Sequence, residues 1–157
     1  MRQRFTQLAL NIFVLTQKAA ERLSHQEIGT EHLLLGIVQE EYGIAGRVLR
    51  ELGATPERIA EIIERTTDTH PRGASDHKPN LTPEVKQIIE FAVDEARVLS
   101  QTLISTEHLL LGLMRLADNT ALIMLHQLGL TPDLIRLETQ RAVQIKQQQD
   151  KDGAALS

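Results

Sequence analysis

The sequence predicts an all-α fold of eight helices, a tandem duplication of a four-helix repeat with pseudo-twofold symmetry. Three observations predict it. The string Thr30-Glu31-His32-Leu33-Leu34-Leu35-Gly36 recurs 76 residues later as Thr106-Glu107-His108-Leu109-Leu110-Leu111-Gly112, and residues 5–64 align on 81–140 without a gap, identical at 20 of 60 positions. Self-similarity at one fixed offset marks a repeat architecture. Aromatic residues make up only 3% of the chain, with one Tyr and no Trp, so the core must be aliphatic, and Leu-rich stretches poor in aromatics disfavour a sheet fold. Helix punctuation recurs as well, with Thr-Pro at 55–56, 82–83 and 131–132 and Leu-Gly at 52–53 and 128–129.

The first helix opens behind Thr6, an N-cap candidate, and runs to about Leu23 with Ile12, Leu15, Ala19 and Leu23 at spacings of three and four. Its counterpart opens with Thr82-Pro83, where proline occupies a position whose N–H has no helical acceptor. Val85, Ile88, Ile89, Ala92, Ala96 and Leu99 form its apolar face. The second helix of each repeat starts at Thr30 or Thr106 and carries the Leu triplet, with Gly36 and Gly112 allowing close approach. The third spans about Ile44 to Leu52 and about Ala121 to Leu128, closed by Gly53 and Gly129 at the usual glycine position beyond a helix end. The fourth opens with Thr55-Pro56-Glu57 and Thr131-Pro132-Asp133, each a cap, a proline and an acid suited to the helix dipole. The expected organisation is one domain over 1–147: repeat one at 5–66, a loop at 67–80 containing His70 to Pro79, repeat two at 81–146, and a polar tail at 148–157. Units of about 60 residues are marginal alone, so the two repeats are expected to share one apolar seam.

Hydrophobic residues at 41% and charged residues at 24% are ordinary for a globular chain. The net charge of −4 disfavours nonspecific nucleic-acid binding, which requires Lys and Arg against phosphate. The absence of Cys excludes disulfides, thiolate metal sites and cysteine nucleophiles. No stretch approaches the roughly 18 apolar residues that span a bilayer, and the basic start Met1 to Phe5 leads into no secretory apolar region. The expectation is a cytoplasmic protein, monomeric in isolation, with no membrane or nucleic-acid partner and no cofactor.

Glu31 and Glu107 stand out. Each lies at a helix start, where an acid ordinarily just complements the dipole, worth about 0.3–1 kcal/mol. The functional alternative is that each carboxylate offers two oxygens to a guanidinium. His32 and His108 follow them, but the spacing is not H-E-x-x-H, and the expected role is local hydrogen bonding under the helix start. His70 and His77 read as loop residues, and His25 and His126 have no partner suggested by spacing. The Leu triplets read as core. No G-x-S-x-G frames Ser24, Ser100 or Ser105, so a hydrolase has no support. Glu40, Glu41, Arg47 and Arg50 read as an exposed charged face near Tyr42. In the second repeat this loop is Asp118-Asn119-Thr120-Ala121, so the halves have diverged there.

The paired T-E-H-L-L-L-G motifs, with Phe5-Thr6, Ile28-Gly29-Thr30-Glu31-His32, Tyr42-Gly43-Ile44-Ala45 and Asp94-Glu95-Ala96-Arg97, resemble the N-terminal domain of Clp-family AAA+ unfoldases, of the ClpC type. The resemblance covers Arg4 to about Lys146. It implies a non-enzymatic recognition module that docks substrate or adaptor proteins for a Clp ATPase. It also implies that Glu31 and Glu107 hold phosphorylated-arginine side chains, one pocket per repeat, with Thr6 and Thr82 at the helix N-termini facing the phosphate. Related domains tend to carry Arg two residues after each of these threonines, whereas this chain has Leu8 and Glu84, so Arg4 or Lys86 would have to compensate. The chain contains no G-x-x-x-x-G-K-[ST] and no Gly-Lys pair, so it carries no P-loop ATPase of its own. It is expected to be either an excised N-domain or a stand-alone accessory subunit that modulates a Clp complex. A helical DNA-binding regulator is the remote alternative, for which no helix has a basic stripe.

Overall fold

A computed structural model describes residues 4–66 and 78–156; most of the expected loop, residues 67–77, lies outside the described residues. The described chain runs α1 (Gln7–Arg22), β1 (Glu27–Ile28), α2 (Thr30–Gln39), α3 (Ile44–Glu51), α4 (Pro56–Arg65), β2 (Asn80–Leu81), α5 (Pro83–Val98), α6 (Thr106–Arg115), α7 (Thr120–Gln127) and α8 (Pro132–Leu156). The fold is all-α, with eight helices among the described residues and two strands of two residues each.

The caps follow the residues that predict them. The hydroxyls of Thr6, Thr55, Thr82 and Thr131 accept the amides of Ala9, Arg58, Val85 and Leu134 at 3.2, 3.3, 3.3 and 3.2 Å; such caps contribute about 1 kcal/mol each. Gly53 and Gly129 sit at φ +99° and +80°, the left-handed conformation that an L side chain resists. Ser24 and Ser100, just beyond α1 and α5, take the same conformation at φ 57° and 55°.

Thr30 and Thr106 are not the caps of α2 and α6. They are the first helical residues, and Gly29 and Ser105 cap these helices. The Nδ1 atoms of His32 and His108 reach back and accept the amides of Gly29 and Ser105, both at 2.9 Å. A ring nitrogen thus takes the part that Glu or Gln plays in a capping box.

One apolar cluster spans both repeats. Ile12, Leu33, Leu34, Ile37 and Leu49 from repeat one meet Ile88, Leu109, Leu110, Leu113 and Leu125 from repeat two, all of them fully buried. Burying each such side chain stabilises the fold by roughly 1.5–3 kcal/mol. The triplets are therefore core, because consecutive leucines on a ten-residue helix that is covered on most sides have no route to solvent. At Gly36 a Cβ would meet the Thr16 hydroxyl and lie 2.9 Å from Ile12 O; at Gly112 it would lie 2.7 Å from Ile88 O and 2.9 Å from Ala92 N. Backbone-to-backbone approach of α1 to α2 and of α5 to α6 therefore excludes any side chain there.

The repeats are interlocked. β1 pairs in parallel with β2, with Asn80 N donating to Gln26 O at 3.1 Å and Thr82 N to Ile28 O at 3.0 Å. The mirrored bridge joins Phe5 to Ile104, with Thr6 N donating to Ile104 O at 2.9 Å and Ile104 N to Arg4 O at 2.8 Å. Phe5 and Leu81 are equivalent in the duplication, as are Ile28 and Ile104. Each repeat therefore begins on the middle of the other.

Over its described length the expected polar tail at 148–157 is helical, because α8 continues to Leu156. No Pro or Gly interrupts 133–152, the Gln, Lys and Ala there are good helix formers, and Gln148 Nε2 donates to Asp152 Oδ1 at 3.0 Å. On its way out, α8 lays Val143 against Ile44 and Val48 of α3.

Candidate functional site

Ser105 stops the chain before α6, and the cap geometry turns Glu107, the second helical residue, toward the Phe5–Ile104 bridge. Glu107 is only 9% exposed. No described residue gives its carboxylate a hydrogen bond or ion pair. It lines a cavity of about 400 Å³ shared with Thr6, Ile44, Ser100, Gln101, Thr102, Leu103, Ser105, and Val143, Lys146, Gln147 and Asp150 of α8. The Thr6 oxygen accepts the Ala9 amide, which leaves its O–H to donate. The cavity thus sets an acceptor-only carboxylate against a hydroxyl donor at a helix N-terminus, with a lysine and an aspartate on α8. Beside it, burial lowers the pKa of His108 below its ordinary 6.5, against the opposing pull of Glu107 and Glu95.

Glu31 occupies the mirrored position and is more deeply buried, at 4% exposed. Its Oε1 lies 3.8 Å from His32 Nδ1. Since Nδ1 accepts the Gly29 amide, a neutral ring carries its proton on Nε2. That Nε2 meets His25 Nδ1 at 2.8 Å in a buried edge-on ring pair. The expectation that His25 lacks a partner is therefore corrected: the left-handed Ser24 turns the chain back at the end of α1 and brings His25 onto His32, seven residues away. In repeat two the residue equivalent to His25 is Gln101, and His108 Nε2 has no hydrogen-bond partner among the described residues.

The candidate residues sort across repeats rather than within them. The bridge at Ile104 brings Thr6, and with it Leu8, to the Glu107 side. The bridge at Ile28, three residues before Glu31, brings Thr82 and Glu84 to the Glu31 side. Sequence cannot say which threonine faces which glutamate; the crossing of the strands decides it. Arg4 is exposed and offers its carbonyl to Ile104, and its side chain is not among those lining the Glu107 cavity. Lys86 is exposed in the first turn of α5.

Lys146, Gln147 and Asp150 were missed as site residues: the first two stand at the very end of the expected domain and Asp150 in the expected tail at 148–157. The available signal was the unbroken run without Pro or Gly through 152. The charged face near Tyr42 also changes. Glu40 is 4% exposed and holds the amides of Tyr42 and Gly43 at 2.9 and 2.6 Å, while Arg50 donates to the carbonyls of Val38, Glu40 and Glu41. Both are consumed in closing the loop before α3, and Glu41, Tyr42 and Arg47 remain exposed. In repeat two a single residue, Asn119, does that work, donating to Leu113 O and Leu116 O and accepting from Leu122 N.

Residues 4–128 match the Clp repeat (R) N-terminal domain. The chain belongs to this family. Over 129 residues, 82% of this chain and 16% of the relative, it is 41% identical to the negative regulator of genetic competence ClpC/MecB of Bacillus subtilis. The chain thus spans about a sixth of the length of such relatives. The crystal structure of the N-terminal domain of the chaperone ClpD from Arabidopsis thaliana superposes with a TM-score of 0.75 at 23% identity, covering 90% of this chain and 95% of that one. A complex of the ClpV N-domain with VipB peptide superposes with a TM-score of 0.55 at 18% identity, covering 87% and 91%. Clp N-domains are binding domains, not enzymes. Among the described residues, no group of three His, Asp or Glu is placed to hold a metal ion, and no single helix is long and apolar enough to cross a membrane.

Proposed function

We propose that this chain docks polypeptides for an ATP-driven Clp unfoldase, in the cytoplasm and as a single copy, and that the Glu107 crevice receives one side chain of the docked polypeptide, phosphorylated arginine fitting it best. The observation that carries the reading is Glu107 itself: a carboxylate nine-tenths buried, without a partner among the described residues, facing an open cavity of about 400 Å³. A buried carboxylate left without donors costs free energy, and a guanidinium supplies two parallel N–H groups to both oxygens. The cavity admits a side chain and not a folded domain. The Thr6 hydroxyl and the amides opening α1 suit an anion attached to that guanidinium. Glu31, with Thr82 on its side of the crossed strands, is the counterpart in the mirrored position. The ClpV N-domain, which shares this fold, is described in complex with a peptide.

Calorimetric titration with a peptide carrying one phosphoarginine tests the reading. Glu107→Gln, which keeps the shape and removes the charge, is expected to weaken binding at least tenfold, about 1.4 kcal/mol. No heat with the wild-type chain ends the phosphoarginine reading; retention of arginine-phosphorylated casein on the immobilised chain supports it.

A further inference from the structure

We infer that the mirrored Glu31 and Glu107 sides are chemically unequal, and that Lys146 on α8 makes the cavity at Glu107 the one that accepts a ligand pairing a cation with an anion. The inference rests on the docking reading above and names the ligand class of the same site. The crossed strands sort the charges. On the Glu31 side, α5 contributes the exposed acid Glu84, two residues beyond its cap Thr82, and an anion arriving there meets a second carboxylate. On the Glu107 side the equivalent residue of α1 is the uncharged Leu8. There α8, continuing well beyond the last turn of its counterpart α4, brings Lys146 and Gln147 onto the cavity wall.

Glu107 lies within the cavity wall and Lys146 at its exposed rim. A ligand cation is thus drawn inward to the carboxylate and an attached anion outward to the ammonium and the Thr6 hydroxyl. Asp150, one turn beyond Lys146 and also on the cavity wall, opposes the anion from the solvent end. The site is therefore selective for an anion held close to the inner cation, and unfavourable to a free anion at the rim.

The test uses two peptides, identical except that one bears phosphoarginine where the other bears arginine. They are titrated into the wild type, Lys146→Met, Lys146→Arg and Glu107→Gln. The expected result is that Lys146→Met weakens the phosphoarginine peptide at least tenfold and leaves the arginine peptide within twofold, that Lys146→Arg restores binding, and that Glu107→Gln weakens both. Lys146 is exposed, so these variants fold. Lys146→Met binding the phosphoarginine peptide like the wild type, with Glu107→Gln still impaired, overturns the role of Lys146 and leaves the docking reading standing. Failure of the wild type to bind either peptide overturns both.

Discussion

The side-chain oxygen of Thr30 accepts the backbone amide of Ala121 at 3.1 Å, across the boundary between the two repeats. Its duplicate, Thr106, accepts the amide of Ala45 at 3.3 Å. Both threonines and both alanines are buried, and each alanine lies in the first turn of α3 or α7, where helical amides lack acceptors within the helix. The first residue of the repeated motif therefore caps a helix belonging to the other repeat.

Replacing either threonine by valine keeps the shape and strands the buried alanine amide. Thr30→Val and Thr106→Val are each expected to lower stability by about 1–3 kcal/mol, and by similar amounts because the two sites are mirrored. Thr→Ser at either site is expected to retain most of the bond. Urea denaturation midpoints check this; a valine variant as stable as the wild type would show that these bonds do not hold the halves together.

Gly112 sits where α6 crosses α5, and the nearest atoms to a prospective Cβ are backbone atoms of Ile88 and Ala92. Backbone cannot rotate aside, so Gly112→Ala must separate the helices. It is expected to cost about 1–3 kcal/mol, the usual range for overpacking, although alanine is the better helix former. Gly36→Ala meets the movable Thr16 hydroxyl as well as Ile12 O, and the double variant Gly36→Ala with Thr16→Ala is expected to recover part of its loss. Thermal melts of the variants decide it.

His108 is fully buried, and burial holds its pKa below 6.5. Above pH 6.5 it is neutral in the folded and unfolded chain alike, and its contribution to stability is complete. As the pH falls from 6.5 toward the lowered folded value, the unfolded chain takes up a proton that the folded chain refuses. Stability then declines by at most about 1.4 kcal/mol per pH unit from this group. His108→Asn retains an acceptor for the Ser105 amide and does not titrate. Its loss of stability between pH 7.5 and 5.5 is expected to be smaller than that of the wild type, read from urea midpoints at each pH. Equal losses would assign the acid sensitivity to other groups.

Much was legible in the residues alone. The duplication shows in the repeated heptapeptide, and helix ends are local chemistry: Thr55-Pro56 and Leu52-Gly53 mark a start and a stop wherever they occur, because caps and left-handed turns involve only neighbouring atoms. The core roles of Leu33 to Leu35 and Leu109 to Leu111 follow from three consecutive leucines on a short helix, which must be buried on most sides. Tertiary structure decided which half touches which. Thr6 faces Glu107 and not Glu31, Thr30 caps α7 and not its own helix, and Lys146 of α8 comes to rest on the wall of the Glu107 cavity. Those relationships depend on how strands from the two repeats cross and on where a long helix comes to rest. Such contacts join residues far apart in the chain, and local sequence pattern carries no term for them.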